Sequence, residues 1–473
     1  MKIGLIDPGS KKLIFNENFP HPGIAYVAAI LEERGYQVET LDVNLAGERG
    51  TDQFLKEDYD LIGLSVTSFT FSQVLEMARR IKAISGNTII VIGGPHVPIG
   101  MESTLDSPHV DYAIYGEGEF TMLELTELLE KTRQPKIENL LAIRGLIFKD
   151  GSRRIVNLQR PRIDNLDGLP FPAFQLFDMD QYGTYPLLTS RGCPFGCMFC
   201  SIKAIWGKAW HFRSAENILL EIDYARQRFR WESKPFNIID DSFNVDPDRV
   251  RRFCELIIER GVDIRWFSSG FRADRVSADL ALRMKEAGCL GVSVGIESAN
   301  NEILRSIKKK TTIEEITRGC QNLARVGISV QAQFMIGNPG DTFETVKESI
   351  EYARRQNFSS VAFYLALPYP KTELWDYVKE RGTFLKEDYT QFHHFSSEPV
   401  FETPEFPARQ REKAYVLGRK LSLKTQLRQE VKTKLARMRR VDFAEMSLRR
   451  VAKAFFRLTK YLLDLSFGRA EKV

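Results

Sequence analysis

Apolar and polar positions alternate in two rhythms along the first 130 residues. KIGLID (2–7), QVETLDV (37–43), LIGLSVTS (61–68), TIIVIGG (88–94) and DYAIYG (111–116) are short apolar runs that predict strands. GIAYVAAILEERG (23–35), FSQVLEMARRIKAISG (71–86) and FTMLELTELLEK (120–131) carry apolar residues at helical spacing, the first two closed by Gly. Strands rich in Ile, Val and Leu, separated by helices, predict a parallel sheet covered on both faces. The expectation for residues 1–132 is therefore a doubly wound, Rossmann-like α/β domain. Such domains take ligands beyond the carboxyl ends of their strands. Those ends are small or hydroxylic here: Ser65, Thr67 and Ser68; Gly93, Gly94 and His96; Gly116 and Glu117, followed by Gly118 and Glu119. Read singly they are tight turns with Ser/Thr caps. Read together they let something large and flat approach the backbone.

The rhythm lapses over residues 133–185, where NLDGLPFPAFQLF sets Pro170 and Pro172 among aromatics and predicts a linker laid across a domain surface. It resumes over residues 186–400 with PLLTSRG (186–192), FNIIDDSF (236–243), IRWFSSGF (264–271), LGVSVGIES (290–298), ISVQAQFMIG (328–337) and SVAFYLALP (360–368). Helical patterns such as DRVRRFCELIIERG (248–261) and FETVKESIEYARRQ (343–356) lie between them. Six βα units predict a partial (β/α)6 barrel of the TIM type, with chemistry at the carboxyl ends of its strands. Residues 401–473 turn helical and basic. Ala444, Leu448, Val451, Phe455, Leu458, Leu462 and Leu465 recur at steps of four and three, with Arg449, Arg450, Lys453, Arg457 and Lys460 on the opposite face.

Composition narrows the picture. Of 473 residues 43% are apolar and 27% charged, which suits a globular chain long enough for two or three domains. The opening MKIGLIDPGS enters a strand at once without signal-peptide anatomy, and no long uncharged apolar run follows; the expected location is the cytoplasm. Charge is uneven. Residues 408–473 hold 19 Lys and Arg against 6 Asp and Glu, a net of +13, which leaves −8 on the preceding 407 residues of a chain carrying +5 in all. Three readings of the tail stay open: a lid on the barrel, a helix lying on the inner face of an anionic membrane, or a nucleic-acid contact. Nucleic acid is the least expected of these, because aromatics are not interleaved for base stacking.

SRGCPFGCMFCSI (190–202) brings Cys193, Cys197 and Cys200 into a C-x3-C-x2-C spacing without a fourth cysteine nearby. A structural zinc site wants four ligands. Cys254, Cys289 and Cys320 are isolated in or beside helical patterns, where a lone cysteine serves as a small core residue. Iron–sulfur clusters are held by thiolates, and three cysteines leave one iron open.

This motif, with Phe199 just before its last cysteine and a barrel strand just before its first, resembles that of the radical S-adenosylmethionine (SAM) enzymes. The resemblance implies a 4Fe–4S cluster on Cys193, Cys197 and Cys200, with the amino and carboxylate groups of SAM on the fourth iron. An external one-electron donor of flavodoxin or ferredoxin type would drive SAM cleavage to a hydrogen-abstracting 5′-deoxyadenosyl radical. Further strand ends look like the family's SAM contacts: Asp240 and Asp241 for the methionine amino group, Ser293 and Glu297 for the ribose, Gln331 and Gly337 near the adenine, and Arg272 for the carboxylate. Local readings stand beside these: a turn starting at Asp241 or Ser242, a helix cap at Asp246, and a surface salt bridge at Arg272.

A doubly wound domain preceding such a barrel resembles the cobalamin-binding (class B) subfamily. The resemblance implies cobalamin at Ser65, Thr67, Ser68, Gly93, Gly94, His96, Gly116 and Glu117. The D-x-H-x-x-G motif of many cobalamin proteins is missing, and His96 reads either as a ligand or as a turn and tail contact. The chemistry implied is methylation of an unactivated carbon. The alternatives are an oxidative cyclisation of a tetrapyrrole or lipid-like substrate, or, from a different class, a non-catalytic iron–sulfur carrier.

Overall fold

A computed structural model describes residues 1–9, 19–231, 233–393 and 396–439. Residues 1–422 make one compact unit and residues 423–473 a second, of which helical backbone to Arg439 is described. The amphipathic stripe from Ala444 to Leu465 lies outside the described residues.

The first sheet holds seven strands: β1 (Lys2–Asp7), β2 (Gln37–Asp42), β3 (Leu61–Ser65), β4 (Ile89–Gly93), β5 (Tyr112–Ile114), β6 (Leu146–Asp150) and β7 (Arg153–Val156), in the order β2-β1-β3-β4-β5-β6-β7. The first five are parallel, as their two-sided apolar runs predict; Ile3, Leu5 and Ile6 of β1 are all buried. Strands β6 and β7 are antiparallel, so part of the 133–185 stretch belongs to this sheet. Its hairpin signal was Asp150-Gly151 between two apolar runs, with Gly151 at φ +57°. The rest of that stretch is mortar. Leu166, Leu169, Phe174, Phe177, Met179 and Tyr182 are buried in the core shared by both sheets, and the Ala173 amide donates to the Ala25 carbonyl of the first helix, Pro22–Glu33. A helix over Val43–Leu55, too poor in apolar residues to announce itself, is capped by Asp42 and kinked at Gly47.

The second sheet is a six-stranded, all-parallel partial barrel in the order β15-β14-β13-β12-β11-β8. Its strands are β8 (Tyr185–Leu187), β11 (Phe236–Ile238), β12 (Trp266–Phe271), β13 (Cys289–Glu297), β14 (Ser329–Ile336) and β15 (Ser360–Leu365). Along β13, β14 and β15 the fully buried positions alternate with half-open ones; Val292, Val294 and Ile296 face the helices, and Ser293, Gly295 and Glu297 face the lumen. Between β8 and β11, β9 (Ser190–Gly192) pairs antiparallel with β10 (Trp210–Phe212) and closes the base of the cysteine loop. Gly192 makes that closure possible: at φ +83°, a Cβ there would sit 2.2 Å from the Ala209 carbonyl oxygen. A two-strand ladder, β16 (Thr383–Phe384) with β17 (Phe401–Glu402), precedes a helix over Ala408–Arg439. Cys254, Cys289 and Cys320 are core residues, as expected.

Candidate active site

The cysteine loop is sewn down from three sides. The Met198 amide donates to the Ile307 carbonyl at 3.1 Å, the Leu374 amide donates to the Met198 carbonyl at 2.9 Å, and the Cys200 amide closes a turn on the Cys197 carbonyl at 3.1 Å. Half-buried Phe199 packs on the core. The Arg272 guanidinium stacks over the Phe195 ring, 4.0 Å from its centroid. All three cysteines are free thiols and half-buried. Burial raises the pKa of each, that of Cys200 to about 12, so the thiols are neutral until a cation displaces their protons.

Around the loop the barrel strand ends present charge. Asp240 and Asp241 are neighbours with different work. Asp240 is buried, and its carboxylate accepts from the Thr189 amide (2.6 Å), the Thr189 hydroxyl (2.5 Å) and the Ser190 hydroxyl (2.6 Å). Rather than reaching a ligand, it clamps the strand that leads to Cys193. Asp241 accepts from the Gly192 amide at 3.0 Å and stays open to water. The protein around it pushes its carboxyl up to about 6, with the nearby Asp240 adding to the shift. Gly270 allows this approach, because a Cβ there would stand 2.1 Å from the Asp240 carbonyl oxygen.

Glu297, at φ +69°, pairs with buried Lys309 at 3.0 Å, the partner that a carboxylate ending an apolar strand requires. Both lie close enough to Cys197 to act on it electrostatically, as does Arg272. Ser293 accepts from the Gln333 amide at 3.0 Å, and Gln331 is exposed on the same lumen-facing row of β14.

Arg272 and Gly337, like Asp240, are held by the protein itself. Arg272 is buried and tied in bidentate fashion to Asp274 (3.1 and 2.8 Å), so its cationic fork is occupied. Gly337 opens a buried turn around Asp341, and a Cβ there would stand 2.4 Å from the Arg411 guanidinium, which covers it. Asp246 caps its helix through the Asp248 and Arg249 amides, as the local reading held.

The carboxyl ends of the first sheet face the same way. A cavity of about 210 Å³ lies behind them, lined by Ile24, Val27, Gly63, Val91, Gly93, Gly94, Ile114 and Met122. Gly93 leaves it open, its nearest neighbour in the Cβ direction being the Ile114 carbonyl at 3.8 Å, whereas Gly94, at φ +120°, turns the chain tightly against Val66. Gly116, at φ +83°, turns the chain after β5. Ser65 is 3.0 Å from Nε2 of His21, whose Nδ1 accepts from the Ile24 amide; that bond puts the proton on Nε2, which donates to Ser65. Thr67 bonds with Thr70 at 3.0 Å in a local turn. Ser68 meets Nδ1 of His96 at 3.0 Å. His96 is fully buried, stacked on Phe71 at 4.0 Å, and burial lowers its pKa to about 4. Its ring is part of the packing.

Glu117 is committed as well. With Glu119 it forms a buried fork on Arg191, at 2.7 and 2.6 Å, and its other oxygen accepts from the Ile163 amide. Arg191 stands two residues before Cys193, so this triad joins the first sheet to the cysteine loop. Sequence patterning gave no role to Arg191, His21 and Lys309, and named Glu119 only as a strand-end residue; a charge flanking the motif was the only trace of Arg191, and Lys309, distant in sequence, left none.

A second cleft runs across the strand ends, from Asp42, Ser65, Thr67, Ser68 and Pro95 to Ser201 and Tyr369 of the barrel half.

Family models match both halves: the B12 binding domain over residues 15–126 and the radical SAM superfamily over residues 187–353. An uncharacterized methyltransferase of Pyrococcus horikoshii is 31% identical over 422 residues, 85% of this chain and 90% of the relative. The chain belongs to the cobalamin-dependent radical SAM methyltransferase family. That family also takes in the anaerobic magnesium-protoporphyrin IX monomethyl ester cyclase of Rubrivivax gelatinosus, 24% identical across 85% of this chain and 78% of that one. The fold matches that of the radical SAM methyltransferase TsrM from Kitasatospora setae, whose structure has cobalamin and a [4Fe-4S] cluster bound, with a TM-score of 0.67 and 20% identity over 80% and 78% of the two chains.

Membership in the cobalamin-dependent radical SAM methyltransferase family carries three cofactors: a 4Fe–4S cluster, SAM and cobalamin. The residues present fit them. Three free thiols share one sutured loop with one ligand short of a closed site, and the first sheet presents a glycine-floored apolar cavity beside a hydroxyl-lined cleft. Among the described residues no helix is long and apolar enough to cross a membrane.

Proposed function

We propose that this protein methylates an unactivated carbon of a small-molecule substrate. One observation carries the reading: the cleft over the first sheet's strand ends has Ser201, the residue next to Cys200, in its opposite wall. The two cofactor seats thus open onto one space. Bound there, the cluster supplies an electron for SAM cleavage and cobalamin supplies a methyl carrier.

The chain's own residues divide the remaining work. Cys193, Cys197 and Cys200 hold the cluster, and Lys309 with Glu297 sets the charge beside Cys197. Asp241, water-accessible at the strand end, is the acceptor for the SAM amino group, with Phe199 shielding the loop from below. Ser293, Glu297 and Gln331 line the lumen side on which the nucleoside lies. Asp240, Arg272 and Gly337 act as positioning residues, holding loops rather than ligand. Ser65, Thr67, Ser68, Gly93 and Gly94 shape the cobalamin seat and Gly116 turns the chain beside it, while His96 and Glu117 brace it.

The test is anaerobic reconstitution with iron, sulfide and hydroxocobalamin, followed by SAM labelled in its methyl group and a cell extract as substrate source. Formation of 5′-deoxyadenosine together with label in a product supports methylation. Formation of 5′-deoxyadenosine without label overturns it in favour of oxidative chemistry, and neither product would leave an iron–sulfur carrier. Cys197→Ala is expected to lose cluster absorbance and 5′-deoxyadenosine together.

Peripheral membrane attachment of a lipid-like substrate's enzyme rests on the basic tail, net +13 from residue 408 onward. Flotation with anionic liposomes should fall on removing residues 408–473; equal flotation of both forms rejects it.

A further inference from the structure

The outward side of the cysteine loop carries a charge pattern that neither cofactor seat uses. Gly196, between Cys193 and Cys197, has nothing within 4 Å in its Cβ direction, so the loop backbone is bare there. Lys203, Lys208, Arg305, Lys308 and Lys310 ring this spot with a single acid, Glu373, which leaves a local excess of four positive charges. All five cations are exposed. Glu373 pairs with Lys203 at 3.0 Å and with Lys308; Lys208, Arg305 and Lys310 make no ion pair among the described residues.

Backbone conformation builds the pattern. Lys308 and Lys310 hold the left-handed region, at φ +56° and +55°, which non-glycine residues rarely occupy. Between them Lys309 is buried and reaches Glu297. The loop therefore sends alternate lysines to opposite sides: one inward beside Cys197, two outward into solvent. It is joined to the cysteine loop through the Met198–Ile307 backbone bond, so the outer lysines and the cysteine loop form one structural piece.

We propose that this cationic rim is the docking surface for an acidic protein that delivers single electrons, of the flavodoxin or ferredoxin kind. The inference rests on the radical SAM reading of the same loop. At the step it serves, the reduced donor loses one electron, the cluster gains it, and no bond forms or breaks. Electron transfer falls off steeply with distance, and the bare Gly196 backbone on this face is the direct chain neighbour of Cys197. Charges of one sign around an exposed entry steer an oppositely charged partner and hold it loosely, as a carrier that must leave again requires. The surface ion pairs of Glu373 are individually weak and yield to a partner's carboxylates.

The experiment uses the full chain and a purified bacterial flavodoxin as probe. Arg305→Glu, Lys308→Glu and Lys310→Glu are combined in one variant, with the same three positions changed to Gln in a second that guards against misfolding of the first. Binding of oxidised flavodoxin is measured at low and high salt. In parallel, 5′-deoxyadenosine formation is driven either by reduced flavodoxin or by dithionite. The reversed variant should bind flavodoxin at least about tenfold more weakly, the Gln variant should fall between, and the wild-type affinity should drop with salt. Flavodoxin-driven turnover at limiting donor should fall in step, with dithionite-driven turnover unchanged. Wild-type affinity in both variants, or equal losses with both reductants, overturns the proposal. A wild-type protein that binds flavodoxin but cleaves no SAM with either reductant would overturn the functional reading instead, and the binding comparison would still decide this surface.

Discussion

The two strand-end edges that face each other across the cleft are built by opposite means. The first sheet ends in small groups: Gly93, which leaves open space, Gly94 and Gly116, which turn the chain, small hydroxyls, and a neutral buried histidine. The barrel ends in charge: Asp240, Asp241, Glu297 with Lys309, and Arg272 with Asp274. A seat for a bulky macrocycle needs room and shape, which glycines supply, whereas a seat for a zwitterionic nucleoside beside a metal cluster needs oriented charge. Where the edges meet, Arg191 links them through Glu117 and Glu119.

The comparison breaks most severely at that joint. Arg191→Met strands two carboxylates that are nearly inaccessible to water and should destabilise the protein by about 3–5 kcal/mol. Denaturant melts followed by circular dichroism measure this, and a loss below about 1 kcal/mol would show that the joint is not structural.

Next comes the uncharged character of the first edge. Folded His96 has a pKa of about 4 against an ordinary 6.5, because burial disfavours its charged form, with Asp388 partly countering. Between those values the unfolded chain takes up a proton that the folded one refuses. Stability from this residue is therefore complete above pH 6.5 and declines as pH falls towards 4, by about 2 kcal/mol from pH 7 to 5. The difference in acid sensitivity between wild type and His96→Asn checks it; equal slopes count against it.

Gly93→Val fills the open direction of the cavity without a backbone clash. Hydroxocobalamin affinity should fall at least tenfold, about 1.4 kcal/mol, with iron content per chain unchanged. The smallest effect on stability belongs to Asp241→Asn, within about 0.5 kcal/mol because its carboxylate stays open to water. SAM affinity, read by equilibrium dialysis, should nevertheless drop. A large loss of stability in that variant would place Asp241 with Asp240 among the clamps.

Much of the architecture was legible from residue patterning. The five parallel strands of the first sheet and all six of the barrel stand where apolar runs placed them, because a strand buried on both faces is apolar throughout and a barrel strand keeps an apolar row against its helices. The β6–β7 hairpin and the Val43–Leu55 helix were not: the hairpin's strands are short and its β7 only half-buried, and the helix buries few residues. The cysteine motif was legible because its ligands are close in sequence. Partners distant along the chain were not: Lys309 for Glu297, Thr189 for Asp240, and Arg411 over Gly337 are brought near by packing alone.

The chain's own order of residues thus determined the two sheets, the trio of sulfurs and the glycine-rich strand ends, all of which are local and depend on neighbours a few positions away. Tertiary structure alone decided which carboxylates are open and which are spent on clamps. It also decided that Arg191 ties the halves together and that Lys308 and Lys310 point outward while Lys309 turns in. Charge is a long-range property, and its partner, its burial and therefore its use exist only once the chain has folded.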